Sequence, residues 1–184
     1  MINSKAELRK IVTQESALYG RKWYYDLPIN LVEQQILYKH AKYLRKAEFA
    51  YNTRKFYRHL SLLRLLRIQT RYGISIPLNV FTGCFQIVHL GSVIINHKAV
   101  IGNNCRIHPG VCIGDNKGKA PVVGDDVYFG PGSKAFGEIR IANGVRIGAN
   151  AVVTKSCTEE NAVLVGVPAV PIDKESFNEN IISS

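Results

Sequence analysis

The sequence predicts a mainly β protein, in which a parallel β-helix of hexapeptide repeats follows an α-helical N-terminal region. Three observations predict this fold. Between Ile95 and Val153 an apolar residue returns at nearly every sixth position, and small or apolar residues fill a second column two positions before the first. The composition also changes from helical to strand and turn at residues 72–77. A period of six fits neither an α-helix nor a hairpin sheet and is typical of the parallel β-helix.

The N-terminal region, residues 1–71, has the composition of three helices. Ser4 and Glu7 have the spacing of a capping box, which predicts a first helix over residues 4–20. A second helix is expected over about residues 31–50. One side of it is expected to carry Leu31, Gln35, Tyr38 and Lys42, with charged residues on the other side.

A third, strongly basic helix is expected over about residues 53–72, and it has two interpretations. Its leucines and arginines could lie on an anionic bilayer surface, as basic amphipathic helices do. The favoured interpretation is that the leucines pack against the solenoid or another helix while the arginines are solvated, because most apolar stripes are core. A nucleic-acid partner is not expected, since the chain has no recognisable nucleic-acid-binding motif.

The solenoid is expected over residues 72–171, followed by a polar C-terminal tail over residues 172–184. Three hexapeptides close one coil, so the ladder residues should stack in three columns. These columns are Ile95, Ile113, Ala135 and Val153; Ile101, Val123 and Ile141; and Ile107, Phe129 and Ile147. The first coil, around residues 78–86, has no clean register and is left unassigned.

Two breaks interrupt the ladder, and breaks in a regular scaffold often carry function. Ten residues instead of six separate Ile113 from Val123, which predicts a polar bulge at residues 115–120. Eight instead of six separate Ile87 from Ile95, which places His89 at a distortion.

The net charge of +10 and the sequence pI of about 9.6 indicate an anionic partner, such as a membrane surface or a phosphorylated cofactor or substrate. The chain has no apolar run long enough to span a membrane and no signal-peptide pattern, so a cytoplasmic location is expected, with possible peripheral contact at the inner face of the membrane. The four cysteines lack CxxC spacing, and no metal site is expected.

The ladder, the Gly118-containing loop and residues 166–169 (GVPA) together resemble the hexapeptide-repeat acyltransferases. Residues 72–77 (YGISIP) and 87–96 (IVHLGSVIIN) resemble their serine acetyltransferase branch, and especially relatives that O-acetylate capsular and exopolysaccharides. The resemblance implies a left-handed β-helix, acetyl-CoA as acyl donor, and a homotrimer or a multiple of it.

By position, His89 matches the general base of these enzymes, and an imidazole suits the removal of a proton from an acceptor hydroxyl. His108 either faces the acceptor as a substrate-binding residue or only lies on a face of the solenoid, with no role in binding. The resemblance also implies an acetyl-CoA groove between subunits. Its expected lining is Gly114, Gly130, Pro131, Gly148 and Ala149, whose small side chains would let the pantetheine arm approach the backbone.

The chain departs from the serine acetyltransferase pattern at three positions. Val88 and Ile74 stand where those enzymes have aspartates, and Ala120 stands where they have a second active-site histidine. These losses count against free serine as the acceptor. The sequence therefore predicts O-acetylation of a sugar or polysaccharide precursor, with serine O-acetylation as the alternative.

Two further classes of function are weaker alternatives. A zinc lyase on the same solenoid would need three converging histidines, and beyond His89 and His108 the third has no evident source. A non-catalytic trimeric scaffold is the other alternative, since fold does not imply function. Thioester turnover measured with a thiol reagent separates a scaffold from an enzyme.

Overall fold

A computed structural model of the chain describes residues 1–172 and consists of a helical region packed on a parallel β-solenoid. The helical region contains α1 (Lys5–Leu18), a 3-10 turn (Trp23–Asp26), α2 (Glu33–Asn52) and α3 (Arg58–Tyr72). The solenoid strands are β1 (Ile74–Ser75), β2 (Phe85–Ile87), β3 (Val93–Ile95), β4 (Val100–Ile101), β5 (Cys105–Ile107), β6 (Cys112–Gly114), β7 (Val122–Val123), β8 (Tyr128–Phe129), β9 (Lys134–Phe136), β10 (Arg140–Ile141), β11 (Arg146–Ile147), β12 (Val152–Val153), β13 (Val163–Val165) and β14 (Val170–Ile172).

The strands form three sheets, one for each side of the solenoid. The first sheet has the order β1-β3-β6-β9-β12, the second β4-β7-β10, and the third β2-β5-β8-β11-β13-β14. All neighbouring strands are parallel except β13 and β14, which are antiparallel. Each step between parallel neighbouring strands moves one coil along the axis, so the five strands of the first sheet mark five successive coils.

The predicted ladder is confirmed residue by residue in the strand register. Ile95 pairs with Ile113 and then Ala135 and Val153, and the other two columns pair as expected. Every residue of these columns is buried. Backbone hydrogen bonds between coils satisfy the polar groups, so the interior can be filled with apolar side chains.

The first coil, which the sequence left unassigned, contains little regular strand. Ile74 pairs with Val93, Phe81 forms an isolated bridge to Ile101, and β2 pairs with β5. The rings of Phe81 and Phe85 stack with centroids 4.1 Å apart. At this end of the solenoid α1 contacts β2, α3 contacts β1, and α2 reaches the first coil through the Arg45 bond to Gly83 O. Helix packing therefore replaces one neighbouring coil here, which explains why the hexapeptide pattern weakens.

The helices differ from the expectation in one important respect. The capping box of α1 is present, since Glu7 N–H donates to Ser4 Oγ (3.1 Å) and Ser4 N–H donates to Glu7 Oε2 (3.2 Å). Of the residues expected on one side of α2, Gln35 and Tyr38 are buried, but Leu31 precedes the helix and is exposed. Charged residues such as Arg45 and Glu48 are buried, because they pair with each other within the fold.

Helix α3 begins later than expected, because Arg54 adopts a left-handed backbone conformation (φ +51°) and ends the preceding helical turn. Its apolar stripe is split: Leu65 and Ile68 are buried, whereas Leu60 and Leu63 are exposed. The favoured packing interpretation thus accounts for only part of the stripe. None of the helices within residues 1–172 is long and apolar enough to cross a membrane.

Candidate active site

Most of the predicted site residues lie on one corner of the solenoid, where chain leaving the third sheet turns toward the first. Successive coils are joined there by backbone hydrogen bonds of 2.8–3.1 Å, which Val88, His108, Gly130 and Gly148 N–H groups donate to the next coil. We call this column the histidine corner. It comprises Val88–His89, His108–Pro109, Gly130–Pro131 and Gly148–Ala149.

The distortion predicted at His89 is visible in the backbone. Strand β2 ends at Ile87, and the chain bends through residues 88–92 before β3 begins. Gly91 has a φ of +150°, and a Cβ at this position would lie 2.8 Å from Pro109 Cβ. The bend is therefore packed tightly on the coil below it, and it lifts His89 out of the regular ladder into solvent.

The His89 side chain is 58% exposed, yet one of its ring nitrogens has a partner. His89 Nδ1 lies 3.4 Å from Glu33 Oε2, and the other carboxylate oxygen, Oε1, accepts the Leu90 N–H at 2.5 Å. Glu33 is the first residue of α2, so the helical region contributes directly to the site. His89 Nε2 has no hydrogen-bond partner within residues 1–172 and is available to an acceptor hydroxyl.

His108 lies beside His89 in a column of ring-shaped side chains. The ring centroids of His89 and His108 are 6.2 Å apart, and those of His108 and Tyr128 are 5.0 Å apart. The Arg146 guanidinium lies 4.9 Å from the centroid of the Tyr128 ring. Burial lowers the pKa of His108, and the nearby His89 and Arg106 lower it further, so the structure favours the neutral imidazole at this position.

The space beside the predicted acetyl-CoA glycines is filled by the protein itself. A Cβ on Gly130 would lie 2.7 Å from Ile147 O, one on Gly148 would lie 3.0 Å from Val165 Cγ1, and one on Gly114 would lie 2.3 Å from Phe136 Cε1. The missing Cβ atoms therefore serve coil packing. A ligand along the histidine corner would instead meet the exposed Pro131 and Ala149.

Gly114 is separated from the rest of the predicted set. It ends β6 and leads into the bulge at residues 115–120, which leaves the solenoid between the first and second sheets. The bulge is closed by Gly118 N–H donating to Asp115 Oδ2 (3.1 Å) and by Lys98 Nζ donating to Gly118 O (2.9 Å). One chain thus places His89 and the bulge on different corners.

Sequence reasoning missed Glu33, Tyr128 and Arg146. Glu33 is 56 residues from His89 along the chain, and no local pattern marks the contact. Tyr128 and Arg146 do carry a signal, because in the register of the third sheet Tyr128 pairs with Arg106 and Arg146 pairs with Tyr128, so the three share one column. Within residues 1–172 of one chain no group of three or more metal-ligating side chains converges.

The chain is similar to serine acetyltransferases in sequence. It is 33% identical to the enzyme of Helicobacter pylori over 168 residues, which are 89% of this chain and 94% of that protein. It is 44% identical to the enzyme of Mycobacterium tuberculosis over 86 residues, 45% of this chain. The chain spans only 37% of the length of the Mycobacterium relative and 43% of that of a Staphylococcus epidermidis relative. No protein-family model matches the chain.

The fold is similar to that of Neisseria gonorrhoeae serine acetyltransferase. The TM-score is 0.71 at 26% identity, covering 92% of this chain and 68% of that one. A second structure of that enzyme, in complex with serine, gives a TM-score of 0.70 at 25% identity, covering 91% and 70%. The predicted solenoid with an N-terminal helical region is confirmed by these similarities.

The same comparisons overturn the predicted acceptor. The sequence analysis favoured a sugar hydroxyl and the capsular or exopolysaccharide branch, whereas each of these relatives is a serine acetyltransferase. The prediction of polysaccharide O-acetylation is therefore wrong, and its stated alternative is the better supported. The error came from treating the residues at positions 74, 88 and 120 as decisive, although they are single positions within a similarity that extends over 168 residues.

Proposed function

Because the chain belongs to the serine acetyltransferase family, we propose that it transfers the acetyl group of acetyl-CoA to the hydroxyl of serine, with His89 as the general base. Membership in this family confirms the predicted class of protein, a hexapeptide-repeat acyltransferase. The observation that carries the proposal is the His89–Glu33 pair at the bend of the histidine corner. It joins an exposed imidazole to a carboxylate on a scaffold of the same family.

In this mechanism His89 Nε2 accepts the proton of the serine hydroxyl as the serine oxygen attacks the thioester carbonyl. The C–S bond then breaks, and the CoA thiolate takes the proton from the imidazolium. A hydroxyl is a poor nucleophile at neutral pH, and general-base catalysis typically contributes about 10² to 10⁴ in rate. The neutral His108 beside His89 suits a role in holding the acceptor, because it can donate or accept a hydrogen bond without repelling the imidazolium charge that forms.

The histidine corner is long enough to hold an extended acyl donor. Gly148–Ala149 lies three coils from Val88–His89, a distance of about 14 Å at roughly 4.8 Å per coil. Acetyl-CoA laid along this corner would present its thioester at His89 and its pantetheine arm to Pro131 and Ala149. Gly114 would then contact the donor from a neighbouring chain.

The experiment is CoA release followed with a thiol reagent, with serine, simple sugars or water as acceptor. We expect serine-dependent release, and we expect His89→Ala to lower kcat by about 10² to 10⁴. His97→Ala is the matched control, because His97 is an exposed histidine outside the histidine corner. Release that does not depend on serine, or an unchanged His89→Ala variant, would overturn the proposal.

Three broader expectations belong to the same proposal: a homotrimer or a multiple of it, a cytoplasmic location, and contact of α3 with an anionic membrane surface. The trimer is supported by the exposed apolar residues on the flat sides of the solenoid, Ile94, Val100 and Val122. It is also supported by the separation of His89 from the bulge. Sedimentation should show a species near three times 20.5 kDa or a multiple of that mass.

A further inference from the structure

We propose that Glu33 is the positioning residue of the active site and that it sets the tautomer of His89, an inference that rests on the proposed role of His89 as general base. The carboxylate comes from α2, whereas His89 belongs to the solenoid. The helical region would then complete the catalytic group. The role of Glu33 can be tested separately from the proposed function by finding which ring nitrogen of His89 carries the proton.

The carboxylate contacts two consecutive residues of the bend. Glu33 Oε1 accepts the Leu90 N–H, which anchors the carboxylate to the backbone, while Oε2 faces His89 Nδ1 at 3.4 Å. Such distances are often long in a site without substrate and shorten when the complex forms. Both oxygens are thus directed to the turn that carries the base.

Glu33 is itself held by a rigid entry to α2. The buried side chain of Gln35 accepts the Leu31 N–H at 2.7 Å and donates to Ile29 O at 2.8 Å and to Tyr24 O at 2.9 Å. This network fixes the segment that leads into the helix. Glu33 also lies in the first helical turn, where unpaired backbone N–H groups favour a negative charge.

The chemistry follows from what each atom can donate or accept. A carboxylate is only an acceptor, so its contact with Nδ1 requires the proton to be on Nδ1. The lone pair is then on Nε2, the nitrogen that faces solvent and can take the hydroxyl proton. The buried aspartate of a Ser-His-Asp triad fixes its histidine by the same logic. In this chain the solenoid offers no carboxylate at positions 74 and 88, where Ile74 and Val88 stand.

The decisive comparison is Glu33→Gln against Glu33→Ala. In the Gln variant the amide oxygen can keep the Leu90 N–H bond, which turns the amide NH₂ toward Nδ1. Nδ1 must then accept, so the proton moves to Nε2 and the base is lost. In the Ala variant the exposed imidazole is free to take either tautomer.

We therefore expect kcat to fall by about 10²-fold or more in Glu33→Gln and by only about tenfold in Glu33→Ala, with the KM for acetyl-CoA unchanged in both. Glu33→Asp keeps the charge and should fall between the wild type and Glu33→Ala. A merely structural role predicts the opposite order, because Gln preserves the backbone contact and Ala does not. A Gln variant at least as active as the Ala variant would overturn the inference.

The second readout is ¹⁵N NMR of histidine-labelled protein at a pH where His89 is neutral, with the His89 signals assigned by their loss in His89→Ala. We expect the proton on Nδ1 in the wild type and on Nε2 in Glu33→Gln. This measurement needs no acceptor. If serine is not acetylated but the tautomer switches, the proposed function falls and the role of Glu33 stands. If serine is acetylated and the tautomer is the same in both proteins, the role of Glu33 falls alone.

Discussion

The helical region and the solenoid bury different kinds of side chain. Of the eight buried polar or charged residues within residues 1–172, seven belong to the helices and one, Ser133, belongs to the solenoid. The seven are Glu15, Gln35, Lys39, His40, Arg45, Glu48 and Gln69. In a solenoid the hydrogen-bonding groups of the backbone pair with those of the next coil, so the interior needs only apolar side chains of the right size. The helices cover one end of that repeat, and their packing depends on specific polar pairs.

The clearest example is a network centred on Arg45, which connects α1, α2 and the first coil of the solenoid. Its guanidinium contacts Glu15 of α1 at 2.7 Å, Glu48 of α2 at 2.9 Å and Gly83 O of the first coil at 2.6 Å. All three side chains are at most 2% exposed. Burial opposes the charge on Arg45, but the two carboxylates outweigh it, and the pKa of the guanidinium is raised above its usual value.

The largest expected effect comes from breaking this network. Arg45→Met leaves two buried carboxylates without their partner, which should lower the free energy of unfolding by about 3–5 kcal/mol. Ile107→Val in the solenoid removes one buried methylene and should cost about 0.5–1.5 kcal/mol. Urea denaturation followed by circular dichroism measures both.

The control for this prediction removes the charges together. Adding Glu15→Leu and Glu48→Gln to Arg45→Met should recover most of the lost stability, because the Gln amide oxygen can still accept the Asn79 N–H that Glu48 accepts at 2.8 Å. If Arg45→Met costs no more than Ile107→Val, the two regions do not differ as described.

The second prediction concerns pH. Burial, together with the charge on Arg45, lowers the pKa of His40 to about 3. His40 Nδ1 also has no partner within the described residues, and Nε2 faces Gln69 Nε2 at 3.4 Å. The unfolded chain therefore takes up a proton near pH 6.5, whereas the folded protein does not until about pH 3. Acidification between these values favours unfolding.

From pH 7 to pH 5 this histidine alone should lower the stability of the wild type by roughly 2 kcal/mol. The His40→Gln variant should lose about 2 kcal/mol less of its free energy of unfolding between pH 7 and pH 5 than the wild type does, whatever its stability at pH 7. His97→Gln is the matched control, since it removes an exposed histidine instead of a buried one. Equal pH dependence in the wild type and His40→Gln would show that the burial of His40 does not carry this effect.

The same contrast explains how much the sequence could predict. The column of Ile107, Phe129 and Ile147 could be read directly, because a six-residue period is a local pattern that determines the register of every later coil. The Glu33 contact could not, because it depends on how α2 packs on the solenoid. The acceptor was mispredicted for a related reason: a carboxylate missing at one position can be supplied in space from another element.

Helix α3 has a second surface that the packing of the fold does not use. Phe56 in the turn before it is 94% exposed, and Leu60, Leu63 and Leu66 are 44–49% exposed. Arginines lie among them, and residues 53–72 contain no acidic side chain. Two copies of so basic a surface repel each other, whereas an anionic bilayer attracts it by about 1 kcal/mol per Lys or Arg near the surface.

The smallest expected effect tests this surface. The protein should cosediment with vesicles of equal parts phosphatidylglycerol and phosphatidylcholine, and not with phosphatidylcholine alone, because both the arginines and the exposed apolar side chains are needed. Leu60→Ser/Leu63→Ser should weaken binding by about tenfold, since two half-exposed leucines would otherwise enter the interface. Val170→Ser is the matched control: Val170 is 54% exposed on the solenoid and should not matter. Unchanged binding in both variants would show that the attraction depends on net charge alone. No binding to anionic vesicles would leave α3 as a packing helix with a solvated face.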